Sequence, residues 1–185
     1  EAEALAEAER CLNCGCYAVN PSDLAAVLVL LNARFVTTER TLSADELICG
    51  GIKPQDVLRE GELIKEIRIP KMGGELRYDK KRVRDAVDFA IVALASRFEV
   101  KDGVIEEAGL VLGAVAQTPR RLPEVDAFLK GKKISEELAR EASELALKDA
   151  VPMGRNEYKI FMAKDVVYKA VLRAGGLAKE YKSML

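Results

Sequence analysis

Residues 86–115 read Ala86-Val-Asp-Phe-Ala-Ile-Val-Ala-Leu-Ala-Ser-Arg-Phe-Glu-Val100, Lys101-Asp-Gly103 and Val104-Ile-Glu-Glu-Ala-Gly-Leu-Val-Leu-Gly-Ala-Val115, and they decide the fold. Two long apolar stretches are separated by an Asp-Gly pair, which favours the tight turn of a β-hairpin. The sequence therefore predicts two long antiparallel strands joined at Lys101-Asp-Gly103.

The segments around this hairpin predict a small sheet packed with helices. Leu76–Lys81 is a candidate third strand. The predicted helices are Pro119–Lys130, Ser135–Asp149 with Ser135 as its cap, and Asn156–Ala174, which Gly175-Gly176 ends. These helices need the apolar face of the sheet for burial, so we predict an α+β fold with an antiparallel sheet of about three strands.

A second, smaller α+β unit is predicted upstream of this one. Its predicted elements are a helix over Asp23–Leu31, a strand over Ala33–Thr38, a short helix over Ser43–Leu47 and a strand over Glu62–Ile69. In the last strand Ile64, Ile67 and Ile69 alternate imperfectly. Lys71-Met-Gly-Gly74 is the predicted boundary between the two units, because paired glycines interrupt both helix and strand patterns.

Composition excludes several classes of function. Lys and Arg (29) nearly balance Asp and Glu (30) among 185 residues, so we expect neither a nucleic-acid binder nor a membrane-surface protein. No apolar run approaches the roughly 18 to 20 residues that cross a bilayer. The absence of histidine excludes Ser-His-Asp and Cys-His catalysis and the usual histidine-containing zinc sites within this chain.

Three of the four cysteines lie in Arg10-Cys-Leu-Asn-Cys-Gly-Cys16. Cys11, Cys14 and Cys16 are candidate ligands of an iron–sulfur cluster or a metal ion, although such sites ordinarily need a fourth ligand. Cys49 is the only other cysteine, and its apolar neighbours suit a small buried thiol equally well. Clustered thiols without a secretory signal indicate a reducing compartment, so we expect a cytoplasmic protein.

A basic run, which contains Lys80, Lys81, Arg82 and Arg84, leaves two interpretations open. Strand alternation places Lys80, Arg82 and Arg84 on one side, where they could bind a phosphate or carboxylate. Alternatively, the run is a solvated face whose charges Asp85 and Asp88 neutralise.

The order of several motifs resembles the FAD-binding subunit or domain of molybdenum hydroxylases, the family of xanthine dehydrogenase and the carbon monoxide dehydrogenase medium subunit. The motifs are Asn20-Pro-Ser-Asp-Leu24, Ala33-Arg-Phe-Val36, Gly61-Glu-Leu-Ile-Lys-Glu-Ile-Arg-Ile-Pro70, Tyr78-Asp-Lys80 with Arg84 and Asp88, Leu112-Gly-Ala-Val-Ala-Gln-Thr-Pro-Arg120, Glu124–Gly131 and Asn156-Glu-Tyr158. The resemblance covers about residues 19 to 174.

This resemblance implies a C-terminal α+β domain with a three-stranded antiparallel sheet, preceded by the last part of an FAD-binding subdomain. It implies that Ser22 and Asp23 lie near the flavin, that Ile64 packs near the isoalloxazine and that Lys80 reaches toward the flavin. The glycine-rich loop that holds the FAD pyrophosphate in that family belongs upstream of Ser22. Here an acidic segment and the cysteines occupy that position.

The segment Glu7-Ala-Glu-Arg-Cys-Leu-Asn-Cys-Gly-Cys16 is similar to pyridine-nucleotide oxidoreductases related to the glutamate synthase small subunit, where such cysteines bind iron–sulfur clusters. This second resemblance implies an upstream module that handles NAD(P)H. Because the chain begins with Glu1 rather than Met, we also expect it to be a piece of a longer protein.

Four segments are predicted: a Cys-rich helical linker (1–18), a partial FAD-binding subdomain (19–70), a molybdenum-hydroxylase flavoprotein C-terminal-like domain (71–176) and a tail (177–185). We predict the C-terminal region of a flavin-dependent oxidoreductase that passes electrons between iron–sulfur centres, FAD and NAD(P)(H). Its expected partners are the upstream module and iron–sulfur or molybdenum subunits, and a homo-oligomer is compatible with the sequence. The alternatives are a noncatalytic docking module that has lost FAD, and a cysteine-ligated metal domain that leaves residues 71–174 unexplained.

Overall fold

The computed structural model describes residues 23–51, 56–84 and 88–177. The strands are β1 (Arg34–Thr37), β2 (Thr41–Ser43), β3 (Ile64–Arg68), β4 (Glu75–Lys81), β5 (Val92–Lys101), β6 (Val104–Gly113) and β7 (Arg120–Arg121). The helices are α1 (Asp23–Leu30), α2 (Ala44–Cys49), α3 (Pro123–Leu129), α4 (Glu136–Ala146) and α5 (Tyr158–Ala174). The predicted α+β class is confirmed.

The hairpin of β5 and β6 is the centre of the main sheet, whose strand order is β4-β5-β6-β7 with antiparallel neighbours. Lys101 pairs with Val104, and both residues between them have positive φ, 51° at Asp102 and 76° at Gly103. These angles match the type I′ turn, which twists with the flanking strands. The sheet has the three long strands expected, and β7 adds a fourth of two residues in a segment that the sequence predicts to be helical.

Helices α3, α4 and α5 cover one face of this main sheet. The alternate residues Val92, Leu94 and Phe98 of β5 and Leu110 and Leu112 of β6 enter one core with the apolar faces of these helices. Ser135 accepts a hydrogen bond from the backbone N–H of Leu138 at 3.1 Å, as expected of the cap of α4. Burial of large apolar side chains therefore attaches the helices to the sheet.

The opposite face of the main sheet is lined by small residues, and α1 packs against it. Ala95 and Val111 belong to the core of α1. A Cβ atom added at Gly113 would lie 3.6 Å from the Cβ of Ala26, and one added at Gly109 would lie 3.1 Å from Cδ1 of Leu30. Because these positions lack side chains, the helix can approach the strands closely. The sheet is thus the middle layer between α1 and the three C-terminal helices.

The second sheet has the order β2-β1-β3. Its register shifts between Val36 and Thr37, so Phe35 pairs with Ile67 whereas Thr37 pairs with Ile64. Residues directly opposite each other share a face, so this β-bulge places Ile64 and Ile67 on the face of the buried Phe35. The bulge explains why the isoleucines do not follow a strict period of two.

A capping box begins α2 next to this sheet. The Ser43 side chain accepts from the backbone N–H of Glu46 at 3.1 Å, and the Glu46 carboxylate accepts from the backbone N–H of Ser43 at 2.7 Å. Leu47 and Ile48 of α2 then join the core of α1. Within the described ranges, no helix combines the length and apolar composition that a membrane span requires.

Candidate functional site

Asp23, Tyr78 and Lys80 form a polar cluster between α1 and β4. The Lys80 ammonium lies 2.7 Å from Oδ2 of Asp23, and the Tyr78 hydroxyl donates to Oδ1 at 2.8 Å. Tyr78 and Lys80 are two residues apart on one strand, so both project toward α1. They pair across the sheet with Ala95 and Ala93, whose small side chains leave room for them. Strand alternation and small neighbours thus bring the cluster together.

The electrostatics of this cluster keep two hydrogen-bond donors directed at one carboxylate. Asp23 begins α1, where the helix dipole favours negative charge. Burial raises the pKa of Tyr78, and its hydrogen bond to the Asp23 carboxylate raises it further, so the phenol stays protonated. The side chain of Lys80 is 19% exposed and that of Asp23 is 48% exposed. The site is therefore a half-buried cation and phenol at the edge of the sheet, open on the Asp23 side.

Asp79 and Lys81 alternate with Tyr78 and Lys80 on β4, and their side chains contact α5 on the other side of the sheet. Asp79 forms an ion pair with Arg173, and Lys81 lies 3.5 Å from Asp165, both partners being on α5. Alternating side chains of β4 thus contact α1 on one face and α5 on the other. This double attachment fixes the backbone that carries Lys80.

The basic run is largely neutralised by carboxylates. Lys80 and Lys81 have the partners described above, and Arg84 binds Asp88 at 3.3 Å. The strand ends at Lys81, so alternation does not extend to Arg82 and Arg84. Of the two carboxylates expected to neutralise the run, Asp88 binds Arg84, whereas Asp85 lies outside the described residues. Lys80 and Lys81 are balanced by Asp23 and Asp165 instead, which the sequence analysis did not predict.

Ile64 lies at the start of β3 in the second sheet, where 42% of the residue is exposed. The buried Glu62, two residues earlier, accepts from the Thr37 hydroxyl at 2.6 Å, from Nε of Arg40 at 3.0 Å and from the backbone N–H of Arg59 at 2.8 Å. These bonds, that of Arg40 above all, lower the pKa of Glu62 to about 2. An ionised, fully bonded carboxylate therefore holds the segment that presents Ile64.

The predicted site residues fall into three groups. Asp23 and Lys80 are in contact, and Ile64 lies on a different sheet. Ser22 and the three clustered cysteines, Cys11, Cys14 and Cys16, lie outside the described residues. Cys49 is half-buried and its thiol donates to the Pro119 carbonyl at 3.6 Å, while burial raises its pKa. In the ranges that the structure describes, no group of three or more His, Cys, Asp or Glu side chains is arranged for a metal ion.

Two residues of the site region were not assigned from the sequence. Tyr78 belongs to the Tyr78-Asp-Lys80 motif without an assigned role, although its spacing of two from Lys80 places both on one face of a strand. Arg121 donates to both carboxylate oxygens of Asp45 at 2.8 Å and to the carbonyl of Val29, and so ties β7 to α1 and α2. The sequence holds no local signal for Arg121, because its partners are at least 76 residues away.

Comparison with known proteins identifies the family. Residues 77–174, more than half of the chain, match the model of the CO dehydrogenase flavoprotein C-terminal domain. The chain therefore belongs to this family of flavoprotein domains. The family predicted from the order of the motifs is confirmed for this part, whereas the resemblance of residues 7–16 to glutamate synthase-like proteins stays a prediction.

Relatives agree with this assignment. The chain is 27% identical over 157 residues to the glyceraldehyde dehydrogenase medium chain of Sulfolobus acidocaldarius, a match that spans 83% of this chain and 55% of that protein. It is 30% identical over 168 residues to the aldehyde oxidoreductase FAD-binding subunit of Escherichia coli, spanning 86% of this chain and 50% of the relative. The chain thus spans about half the length of these relatives.

A solved structure shows the same fold. The carbon monoxide dehydrogenase of Hydrogenophaga pseudoflava contains a chain that superimposes with a TM-score of 0.75 at 26% identity, over 88% of this chain and 60% of that one. The fold of this chain is therefore shared with a chain of that carbon monoxide dehydrogenase.

Proposed function

We propose that this chain is the C-terminal part of an FAD-dependent oxidoreductase of the molybdenum hydroxylase type. In the whole protein it would pass electrons between iron–sulfur centres, FAD and NAD(P)(H), with iron–sulfur or molybdenum subunits as partners in the cytoplasm. The family match of residues 77–174 and the Escherichia coli relative, which is an FAD-binding subunit, support the flavin assignment.

The observation that carries the proposal is the half-buried ammonium of Lys80 beside the Tyr78 hydroxyl. FAD, when bound, supplies the electron-transfer chemistry, and the protein tunes it through nearby charge and hydrogen bonds. Lys80 has three N–H donors, of which the bond to Asp23 engages one. The donor set therefore fits the redox-active ring: Lys80 provides positive charge, Asp23 positions it, and Ile64 offers an exposed apolar contact.

The fit covers only the ring end of the cofactor. The described residues contain no glycine-rich loop of the kind that cradles a pyrophosphate, so the phosphates need groups from elsewhere in the whole protein. Ser22 stays a proposed flavin neighbour, and Cys11, Cys14 and Cys16 stay proposed ligands of an iron–sulfur cluster. We accordingly expect the purified chain to be colourless and to bind added FAD weakly.

Titration of the chain with FAD, followed by quenching of flavin fluorescence, tests the proposal. We expect weak, saturable quenching that Lys80→Met weakens about tenfold, a change of about 1.4 kcal/mol in binding free energy. Lys101→Met at the hairpin turn is the matched control and should leave the titration unchanged. Equal titrations for the two variants would contradict a role for Lys80 beside the flavin.

A noncatalytic docking module is the second candidate function. The observation that favours it is the ion pair itself, because Asp23 already gives Lys80 a partner without any cofactor. In this alternative the cluster only fastens α1 to β4. Absence of saturable flavin binding, both in this chain and in the whole protein from which it derives, would support the docking module over the flavoprotein.

A further inference from the structure

The carboxylate of Asp23 accepts a hydrogen bond on each of its two oxygens. The Tyr78 hydroxyl donates to Oδ1 at 2.8 Å, and the Lys80 ammonium donates to Oδ2 at 2.7 Å. Both donors come from β4, whereas the acceptor begins α1. Within the described residues the two oxygens of one carboxylate thus have different partners, a phenol and an ammonium.

Tyr78 is held in place by packing as well as by this hydrogen bond. Its side chain contacts the core of α1, and it pairs across the sheet with Ala95, which is completely buried. A tyrosine side chain has only two χ angles, so ordering it costs little entropy. Burial and the hydrogen bond to Asp23 raise the pKa of Tyr78, so the hydroxyl keeps the proton that it donates. The phenol is therefore a fixed donor.

The Lys80 ammonium is a donor of a different kind. It carries three N–H groups around one compact charge, at the end of a flexible chain. A carboxylate with both oxygens available could accept two of these groups. Because the phenol occupies Oδ1, the ammonium bonds to Oδ2, and in the described part of the chain this is its one hydrogen bond. Tyr78 thus limits how much of the ammonium Asp23 engages.

We propose that Tyr78 is a positioning residue for Lys80. By occupying Oδ1 of Asp23, the Tyr78 hydroxyl keeps the ammonium on Oδ2 and leaves its remaining N–H donors to the flavin ring. Tyr78 acts through Asp23 and does not need to touch the cofactor. The inference rests on the proposed function, because it requires a flavin beside Lys80.

The charge of the flavin separates positioning from simple structural support. The ring of FAD is neutral when oxidised and becomes an anion when reduced, so a correctly placed ammonium favours the reduced form. Loss of that placement should weaken the binding of reduced FAD selectively. A general loosening of α1 against β4 should instead weaken the binding of both forms equally.

Anaerobic equilibrium dialysis of the full 185-residue chain against oxidised FAD and against dithionite-reduced FAD is the test. Tyr78→Phe keeps the ring and removes the hydroxyl. We expect its affinity for reduced FAD to fall about tenfold, as for the loss of one hydrogen bond to a charged group, and its affinity for oxidised FAD to fall less than about threefold. Losses of equal size for the two forms would overturn the proposal.

Tyr168→Phe is the matched control. Tyr168 is also partly buried, but it lies on α5 and packs against the core on the opposite face of the main sheet. This variant loses the same hydroxyl from a different place and should leave both affinities unchanged. Circular dichroism checks that every variant is folded.

A double-mutant cycle tests whether Tyr78 acts through Asp23. In an Asp23→Ala chain the phenol has no carboxylate to occupy, so the further change Tyr78→Phe should alter neither affinity by more than about twofold. If the full effect of Tyr78→Phe persisted in that background, the proposed route through Asp23 would be wrong.

A crystal structure of Tyr78→Phe tests the inference without flavin. We expect the Lys80 ammonium to lie within hydrogen-bond distance of both oxygens of Asp23, and an ammonium that stays on Oδ2 alone would contradict the positioning role. Absence of saturable FAD binding, in the original chain and in the whole protein, would instead overturn the proposed function and with it this role of Tyr78. The two failures are therefore distinguishable.

Discussion

The two faces of the main sheet are held to their neighbours by different means. Toward α3, α4 and α5 the hairpin presents large apolar side chains such as Leu94 and Leu112, which are completely or almost completely buried. Toward α1 the same two strands present mainly small residues, among them Ala95, Gly109 and Gly113, beside Val111. Ion pairs at the rim, including Asp23 with Lys80, complete the attachment. The same hairpin therefore packs large apolar side chains against helices on one face. On the other face it allows a close approach of α1, which ion pairs at the rim stabilise.

Removal of a large side chain from the helical face should have the largest effect. Leu94→Ala deletes a side chain with no exposed surface, and the lost burial plus the remaining cavity should cost about 2–5 kcal/mol in the free energy of unfolding. Urea denaturation measures this loss. Leu76→Ala on β4, where the leucine is 46% exposed, is the control and should cost about 0.5 kcal/mol or less. Similar losses for both variants would contradict the assignment of the core to this face.

The α1 face should respond to added volume instead. Gly113→Val places new methyl groups between the strand and Ala26 of α1, and overpacking of this kind costs about 1–3 kcal/mol. Gly113→Ala should be much milder, since its Cβ would lie at ordinary contact distances of 3.4 Å from Ala93 and 3.6 Å from Ala26. Thermal unfolding of both variants measures the difference. If valine were tolerated as well as alanine, α1 would not approach the sheet as closely as described.

The polar attachment of α1 should have a smaller effect. Arg121→Ala removes the bonds to Asp45 and Val29, and a loss of about 1–2 kcal/mol is expected because the guanidinium is partly exposed to solvent. Arg120→Ala, on the opposite face of β7, is the control. Hydrogen exchange of the α1 amides should increase in the first variant and not in the second. Equal exchange in the two would mean that Arg121 does not hold α1.

A single carboxylate on the helical face should add a modest pH dependence. Burial raises the pKa of Asp126 from its ordinary 3.8 to about 7, and Oδ1 is buried without a hydrogen-bond partner among the described residues. A raised carboxyl pKa gives stability that is complete below the unfolded value and is lost as the pH rises through the folded value. Asp126→Asn should therefore be more stable than the original chain above pH 7 and lose this advantage below about pH 4. Melting temperatures at both pH values measure the effect, and an advantage that did not depend on pH would contradict it.

Local chemistry made most of the main sheet predictable. The Asp102-Gly103 turn and the apolar runs beside it define the hairpin without reference to the rest of the chain. Ser135 and Gly175-Gly176 likewise mark the ends of helices through their own backbone preferences. In contrast, β7 is a strand only because Arg120 and Arg121 pair with Leu112 and Val111, and two residues carry no periodicity.

The candidate site was predictable only in part. Asp23 and Lys80 came from the order of motifs, but no pattern within either segment shows that they touch across 57 residues. The contact depends on Ala93 and Ala95, whose small size lets α1 lie against the strands. In the sequence these alanines alternate with Val92 and Leu94. The sequence does not show, however, that α1 is the element that packs against them.

The bulge at the start of β3 also affects how relatives of this chain should be aligned. It shifts the register of β3 against β1 by one residue between Ile64 and Glu66. A relative that lacks residue 65 would need no bulge and would keep Ile67 opposite Phe35, whereas a relative of the same length without the bulge would place Glu66 there. A single gap in an alignment at residue 65 would thus mark relatives that keep this apolar stripe without a bulge.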